Sequence, residues 1–289
     1  AGVACGPWLA ADFGDAYVLA KPAGWEVDVA EEAVPGRAER AGTCPAWQRR
    51  SLTSFLAAVA APGAAIAQDR SHDCGMVHRL DANSSGLLVG ARTYAAYYRL
   101  HWALHTYAIG REYVVLCHGS VDPAFSLIDR PLLVRGRMSH ALGRAGLPAV
   151  TRLKVIARLR RAAAGGSDMP EEEFSLLVIC LRTGRHHQIR AHLQSQGHPV
   201  VCDSLYAPEA FHADRQWCAR NFLHRYRLAD IPVAGDGGSA ARSAALALPE
   251  DLAEALRSLT PRDAASEAAV RAWCSQGRPG PAFHDWEPL

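Results

Sequence analysis

The stretch Val77-His78-Arg79-Leu80-Asp81-Ala82-Asn83-Ser84-Ser85-Gly86-Leu87-Leu88 presents one carboxylate, Asp81, on a turn between two apolar runs. Further along, Arg182-Thr183-Gly184-Arg185-His186-His187-Gln188-Ile189-Arg190-Ala191-His192 gathers a dense set of cationic donors. A lone acid in one segment and guanidiniums in the other describe a carboxylate held ionised beside arginine, in a site that also attracts phosphate.

Working outward from the Asp81 turn, residues 86–90 read as a short apolar strand. Thr93 then caps a helix that turns Tyr97, Leu100, Leu104 and Tyr107 inward, and Gly110 ends it. Upstream, residues 17–20 form a strand that stops at the turn Lys21-Pro22-Ala23-Gly24. Residues 30–50 read as a loop, and Ser51 caps a helix carrying Leu52, Phe55, Leu56 and Val59 on one face. Downstream, residues 113–117 have the continuous apolar, β-rich composition of a central strand, and residues 120–148 read as loops with short strands. The clearest periodicity follows. Leu153, Val155, Ala157 and Leu159 alternate with Arg152, Lys154, Ile156, Arg158 and Arg160, so period two sends the first set to the core and most of the cations to the other face. A loop at 162–170, a strand at 174–181 and a helix at 187–196 with Gly197 just past its end come next. Residues 208–220 suit a helix, 222–228 a strand, and 231–247 are low in complexity, being Ala, Gly and Ser. Pro249 starts a helix with Leu252, Leu256 and Leu259 on one side, and the tail from Pro261 carries no readable pattern. Short strands mixed with helices in irregular order predict an α+β fold, with a mixed or antiparallel central sheet flanked by helices.

Nearly half of the 289 residues are apolar (49%), which supports a substantial core, and the formal net charge is only +2. That total hides a block: from Arg130 to Ser167 there are nine Arg or Lys and no Asp or Glu. Such a block is either a solvated face or a surface for a polyanion. The eight cysteines form no C-x-x-C pair, and Cys117 and Cys180 sit in apolar runs, which predicts buried thiols in a reducing intracellular compartment. His101 and His105 have ligand spacing on a helix but no neighbouring acid, so a partly buried helix face is expected and no metal. No apolar run reaches eighteen residues, so no membrane span is expected. The chain begins at Ala1 without Met, so a targeting peptide or a further domain is compatible with what precedes it.

Taken in order, these segments resemble the RluA-type RNA pseudouridine synthases. The resemblance rests on Lys21-Pro22-Ala23-Gly24, on His78-Arg79-Leu80-Asp81 followed by Ser85-Gly86-Leu87-Leu88, and on Arg111-Glu112-Tyr113 with Gly119. It continues through Ala149-Val150-Thr151, Thr183-Gly184-Arg185-His186-His187-Gln188-Ile189-Arg190, Gly197-His198-Pro199 with Asp203 and Tyr206, Phe222-Leu223-His224, and Leu248-Pro249-Glu250-Asp251-Leu252. It spans residues 17–260, implying a catalytic domain at 1–260 and a tail of uncertain structure at 261–289. Four positions depart from the pattern: Ser84 stands for the usual Thr, Arg111 for Lys, and Cys202 and Ala207 for glycines. The small RNA-binding domain often found ahead of the catalytic one has no counterpart in this sequence.

The resemblance implies isomerisation of uridine to pseudouridine. The N1–C1′ bond breaks, the uracil turns, and C5 joins C1′, with no cofactor and no metal. Asp81 is the implied catalytic carboxylate, either attacking C1′ or taking the 2′ proton, and the sequence leaves both routes open. Arg190 is implied as its guanidinium partner and Tyr113 as the aromatic against the uracil. The base has to be extruded into a pocket, and Arg79 is a candidate to fill the gap or hold a neighbouring phosphate. Arg185, His187 and Gln188 are candidates for substrate contact or for structural hydrogen bonding, and His78 reads as structural. Arg152, Lys154, Arg158 and Arg160 are candidates for the RNA backbone. The expected partner is RNA, whether rRNA, tRNA or mRNA, and the expected state is a monomer. The competing reading is a catalytically inactive RNA-binding module with the same fold. A glycoside hydrolase ranks last, because it needs two opposed carboxylates and only Asp81 sits in a suitable motif.

Overall fold

The computed structural model describes residues 6–27, 50–141, 146–162, 171–235, 238–275 and 277–289. Nearly all of the expected loops at 30–50 and 162–170 therefore lie outside the described residues, and Arg50 opens a short strand. The chain divides into two compact units, Ala1–Ile109 with Leu228–Ala244, and Gly110–Arg227 with Ala245–Leu289.

The first unit opens with β1 (Trp8–Asp12), β2 (Ala16–Lys21) and the short pair β3 (Trp25–Glu26) and β4 (Arg50–Ser51), followed by α1 (Leu52–Phe55), β5 (Ser85–Ala91) and α2 (Tyr94–His105). Strands β1, β2 and β5 lie side by side and antiparallel. Every residue of β2 and β5 is buried, and apart from Lys21 and Ser85 both strands are apolar. Tyr17 faces Gly90 across this pair, and a Cβ at Gly90 would meet the Tyr17 ring at 2.5 Å. Glycine there lets the aromatic lie flat on the next strand.

Two helix expectations need correction. Ser51 makes no cap bond, and its hydroxyl lies against that of Thr53. Past Phe55 the chain winds into a π-turn, Leu56–Ala60, and the wider turn rotates Val59 outward to 54% exposure while Leu52 and Leu56 stay buried. Thr93 does cap α2, its Oγ1 accepting from the Ala96 amide at 3.1 Å. The helix stops before Gly110, however. Tyr107 takes a left-handed φ of 60° and is exposed, and Gly110 opens the next strand.

The second unit holds β6 (Gly110–His118), β7 (Leu127–Asp129), β8 (Leu132–Arg135), β9 (Met138–Ala141), β10 (Val150–Arg161), β11 (Glu172–Leu181), α3 (Gln188–Ser195) and α4 (Pro208–Asp214). It is completed by α5 (Glu250–Arg257), β14 (Thr260–Pro261) and α6 (Ala264–Cys274). The long strand β12 (Leu223–Gly235) begins in this unit and continues into the first, where β13 (Gly238–Ala245) pairs with it. The strand order is β12-β6-β11-β10-β14 in the second unit and β1-β2-β5-β12 in the first. Strands with helices beside them confirm an α+β fold with a largely antiparallel sheet. Strand β10 keeps its alternation, with Leu153, Val155, Ala157 and Leu159 buried, through a bulge at Ile156.

Residues 231–247, low in complexity, belong largely to the β12–β13 pair. The tail is ordered too. Trp273 of α6 and Phe283 are buried in one core with Tyr226, Leu252 and Leu256. Glu112, buried on β6, ties this segment down by accepting from the Phe283 amide at 2.8 Å and from the Tyr226 hydroxyl at 2.9 Å. Six cysteines among the described residues are free thiols, and burial pushes Cys117 up to about 12. Among the described residues no helix is long and apolar enough to cross a membrane, and no group of three or more His, Cys, Asp or Glu is placed to hold a metal.

Candidate active site

The Asp81 turn is built from its backbone outward. The Ser84 amide donates to the Asp81 carbonyl at 3.1 Å, closing the turn at the entrance to β5. Lys21, at the end of β2, is 1% exposed and gives its ammonium to three carbonyls: Pro22 at 3.0 Å, Trp25 at 2.9 Å and Ala82 at 3.1 Å. An ammonium has three donors, so these acceptors match its capacity. The Gly24 amide also donates to Ala82, at 2.8 Å. The turns Lys21–Gly24 and Asp81–Ser84, far apart in sequence, are thus laced together at the residue after Asp81. His78 accepts through Nε2 from the Val89 amide at 3.1 Å, which places the ring proton on Nδ1. Asp81 is half-buried and Arg79 exposed. Lys21→Met is expected to lower stability by about 3 kcal/mol, because three buried carbonyls lose a charged donor. Urea unfolding measures the loss, and a change within experimental error would remove Lys21 as the brace.

In the second unit the arginine motif leaves β11 and enters α3. Gln188, the first residue of α3, is saturated. Its Oε1 accepts from the Thr183 hydroxyl at 2.9 Å and the Arg185 amide at 3.0 Å, and its Nε2 donates to the Val150 carbonyl at 3.0 Å and the Thr151 hydroxyl at 3.1 Å. These four bonds use its full capacity and pin the motif to β10. His187 takes a left-handed φ of 51°, stacks on His186 at 3.7 Å and meets the Tyr206 hydroxyl through Nδ1 at 3.1 Å. Arg185 is half-buried and gives Nε to the Pro148 carbonyl. A Cβ at Gly184 would press on the Arg111 guanidinium, which would have to shift.

Arg190 makes a bidentate fork onto Asp203, Nε to Oδ2 at 2.6 Å and Nη2 to Oδ1 at 2.7 Å, with the pair buried. Asp203 also accepts from the Leu205 and Tyr206 amides, and the Arg190 guanidinium lies 4.9 Å from the Tyr206 ring centre. Asp203 is thus a member of the arrangement to which the motif reading gave no role. The glycine-like position before it, Cys202, holds φ at 58° with a Cys side chain, and its amide is fixed by the Asp214 carboxylate at 2.7 Å. The substitution therefore keeps the left-handed backbone that glycine would adopt.

Tyr113 lies buried on β6, and its hydroxyl accepts from both Nε and Nη2 of Arg225 on β12. Sequence reasoning passed over Arg225, because nothing in Leu223-His224-Arg225-Tyr226 separates it from an ordinary strand arginine.

The cations of β10 do not form one open face. Lys154 gives its ammonium to the Trp286 carbonyl at 2.6 Å and lies 5.0 Å from the Phe283 ring centre, and Arg158 is half-buried beside α6, where its amide meets Ser266. Arg160 pairs with Glu171 at 3.0 Å. Of the four, Arg152 and Arg160 are exposed. The C-terminal segment covers much of the basic stripe that period two places here.

A sequence profile described as RNA pseudouridylate synthase matches residues 15–195, more than half of the chain. The chain belongs to the RNA pseudouridine synthase family, an isomerase family. Its curated relatives are of the RluA type. The chain is 31% identical over 159 residues to ribosomal large subunit pseudouridine synthase C of Haemophilus ducreyi, covering 53% of this chain and 46% of that one. It is 32% identical over 201 residues to ribosomal large subunit pseudouridine synthase D of Yersinia pestis, covering 64% and 55%. The matches thus span about half the length of these relatives. In fold it is similar to the human RNA pseudouridylate synthase domain containing 1, with a TM-score of 0.62 at 19% identity over 98% of this chain and 99% of that one. It also resembles the human domain containing 4, at 0.57 and 16% identity over 87% and 93%.

Proposed function

We propose that this chain isomerises uridine to pseudouridine in a structured RNA, with Asp81 as the carboxylate at the ribose, Arg190 as its guanidinium partner and Tyr113 as the aromatic against the uracil. The observation that carries this reading is the Asp81 turn. A half-buried carboxylate stands on a backbone braced by Lys21 from another strand, in a chain that belongs to the family. Such bracing fixes a reacting group at low reorganisation cost. Arg190 forks onto Asp203 through Nε and Nη2, which fixes the plane of its guanidinium. The overall reaction balances without an added reagent: the N1–C1′ bond is replaced by C5–C1′, C5 gives up its proton, and N1 gains one. The exposed Arg79, beside the turn, is assigned to the gap left by the extruded base or to a neighbouring phosphate.

The names of the two curated relatives make large-subunit rRNA the first substrate to try. The test is tritium release from an rRNA fragment carrying C5-labelled uridine, with nucleoside analysis of the product. Release with the base still joined to ribose supports isomerisation. Free uracil would mean hydrolysis, and a gel shift without release would mean a binding module. Tyr113→Phe is expected to bind the RNA as before but to slow release by about 100-fold. Equal turnover by the two proteins would remove the hydroxyl from the chemistry.

A further inference from the structure

We propose that Arg225 is a positioning residue for Tyr113, holding its ring and its phenolic oxygen in one orientation and keeping positive charge at that oxygen. The proposal rests on the isomerase reading above.

Tyr113 and Arg225 lie on neighbouring strands, β6 and β12, and are 4% and 3% exposed. Arginine has no acceptor, so both contacts to the phenol run from guanidinium N–H to oxygen: Nε at 2.8 Å, and Nη2 shorter still. Together they fill the two lone pairs of the phenolic oxygen, which leaves the O–H bond directed away from the guanidinium. The guanidinium carbon lies 5.0 Å from the ring centre, so the same side chain also limits rotation of the ring.

The charged surroundings are one-sided. Arg111 precedes Tyr113 by two residues on β6, shares its face of the strand, is 6% exposed and donates to the Arg182 carbonyl. Arg185 lies within electrostatic range of Arg111 as well, and the nearby Cys180 thiol is held protonated by burial. The adjacent acid, Glu112, is engaged with the Tyr226 hydroxyl, the Phe283 amide and, at 3.9 Å, Arg227. A phenol gripped by two N–H groups of a buried cation is a prearranged polar group, whose oxygen can gain negative charge without its neighbours moving. A tyrosine that served only as packing would need no such grip, and burying a guanidinium for it would be costly.

The experiment is a double-mutant cycle on tritium release from C5-labelled rRNA, timed in single turnover, for the wild type, Tyr113→Phe, Arg225→Met and the double variant. Gel shifts at fixed salt give RNA affinity in parallel. Arg225→Met is expected to slow release at least about tenfold with RNA affinity within about twofold, and to add less than about twofold in the Tyr113→Phe background. Equal slowing in both backgrounds overturns the proposal, because a general structural role does not need the hydroxyl. If Tyr113→Phe is too slow to time, or Arg225→Met fails to fold, the decision passes to Arg225→Lys. A lower kcat at unchanged KM supports positioning, and a higher KM at unchanged kcat overturns it. Absence of release by the wild type removes the isomerase reading, and this proposal with it; release with an additive cycle removes the proposal alone.

Discussion

Asp81→Asn is expected to abolish tritium release, by roughly 1,000-fold or more, while the RNA gel shift stays in place. The two halves of this expectation have separate causes. The turn depends on backbone groups, the Ser84 amide on the Asp81 carbonyl and the Lys21 ammonium on the Ala82 carbonyl, and a carboxamide leaves both intact. RNA affinity should also be spared, because the substitution removes a negative charge that would repel phosphates. What goes is the anionic oxygen itself, and neither route open to Asp81, attack on C1′ or removal of the 2′ proton, proceeds through a neutral amide. Release by Asp81→Asn within about tenfold of the wild type would mean that the carboxylate at the ribose is another residue.

The second large effect is expected at the Arg190–Asp203 pair. Asp203→Asn leaves a buried guanidinium without its counter-charge, and such a break costs about 3–5 kcal/mol. The Leu205 and Tyr206 amides end on the same carboxylate, so the loop into α4 should loosen as well. Arg190→Lys keeps the charge but loses the planar fork, so its stability loss should be smaller while turnover falls by about 100-fold. Urea unfolding and single-turnover release, run on both variants, separate the two effects. If Arg190→Lys turns over normally, Arg190 acts as scaffold for Asp203 and has no part at the ribose.

Sequence alone is most legible where one side-chain period meets one environment. Strand β10 is found because Leu153, Val155, Ala157 and Leu159 are buried while Arg152, Lys154 and Arg158 between them are not. The helix α3 is found because its hydrophobic face and the glycine beyond it agree. The Asp81 turn is found through the order of short motifs. Legibility ends where a residue's role is set by a partner distant in sequence. Lys21 looks like a turn lysine until Ala82 is beside it. Arg225 and Asp203 acquire their roles from Tyr113 and Arg190, on other elements. The Ala-, Gly- and Ser-rich stretch after Ile231 reads as low complexity because small residues carry little periodicity, yet strand pairing orders it. The tail escapes for the complementary reason: Trp273 and Phe283 are too few and too widely spaced to show a pattern, and their burial depends on a core assembled from earlier strands.

The course of β12 has a consequence for synthesis on the ribosome. The first unit takes residues 1–109 and then 228–244, so its sheet lacks both β12 and β13 until the whole of Gly110–Arg227 has been made. Until then β5, which follows the Asp81 turn directly, offers an open edge where β12 will later pair. A nascent chain paused in that interval carries the Asp81 turn on an unfinished sheet, while β6, β10 and β11 of the second unit are already made. The second unit waits as well, because its core takes Leu252, Trp273 and Phe283 from beyond Arg227, so both units are closed by segments made last.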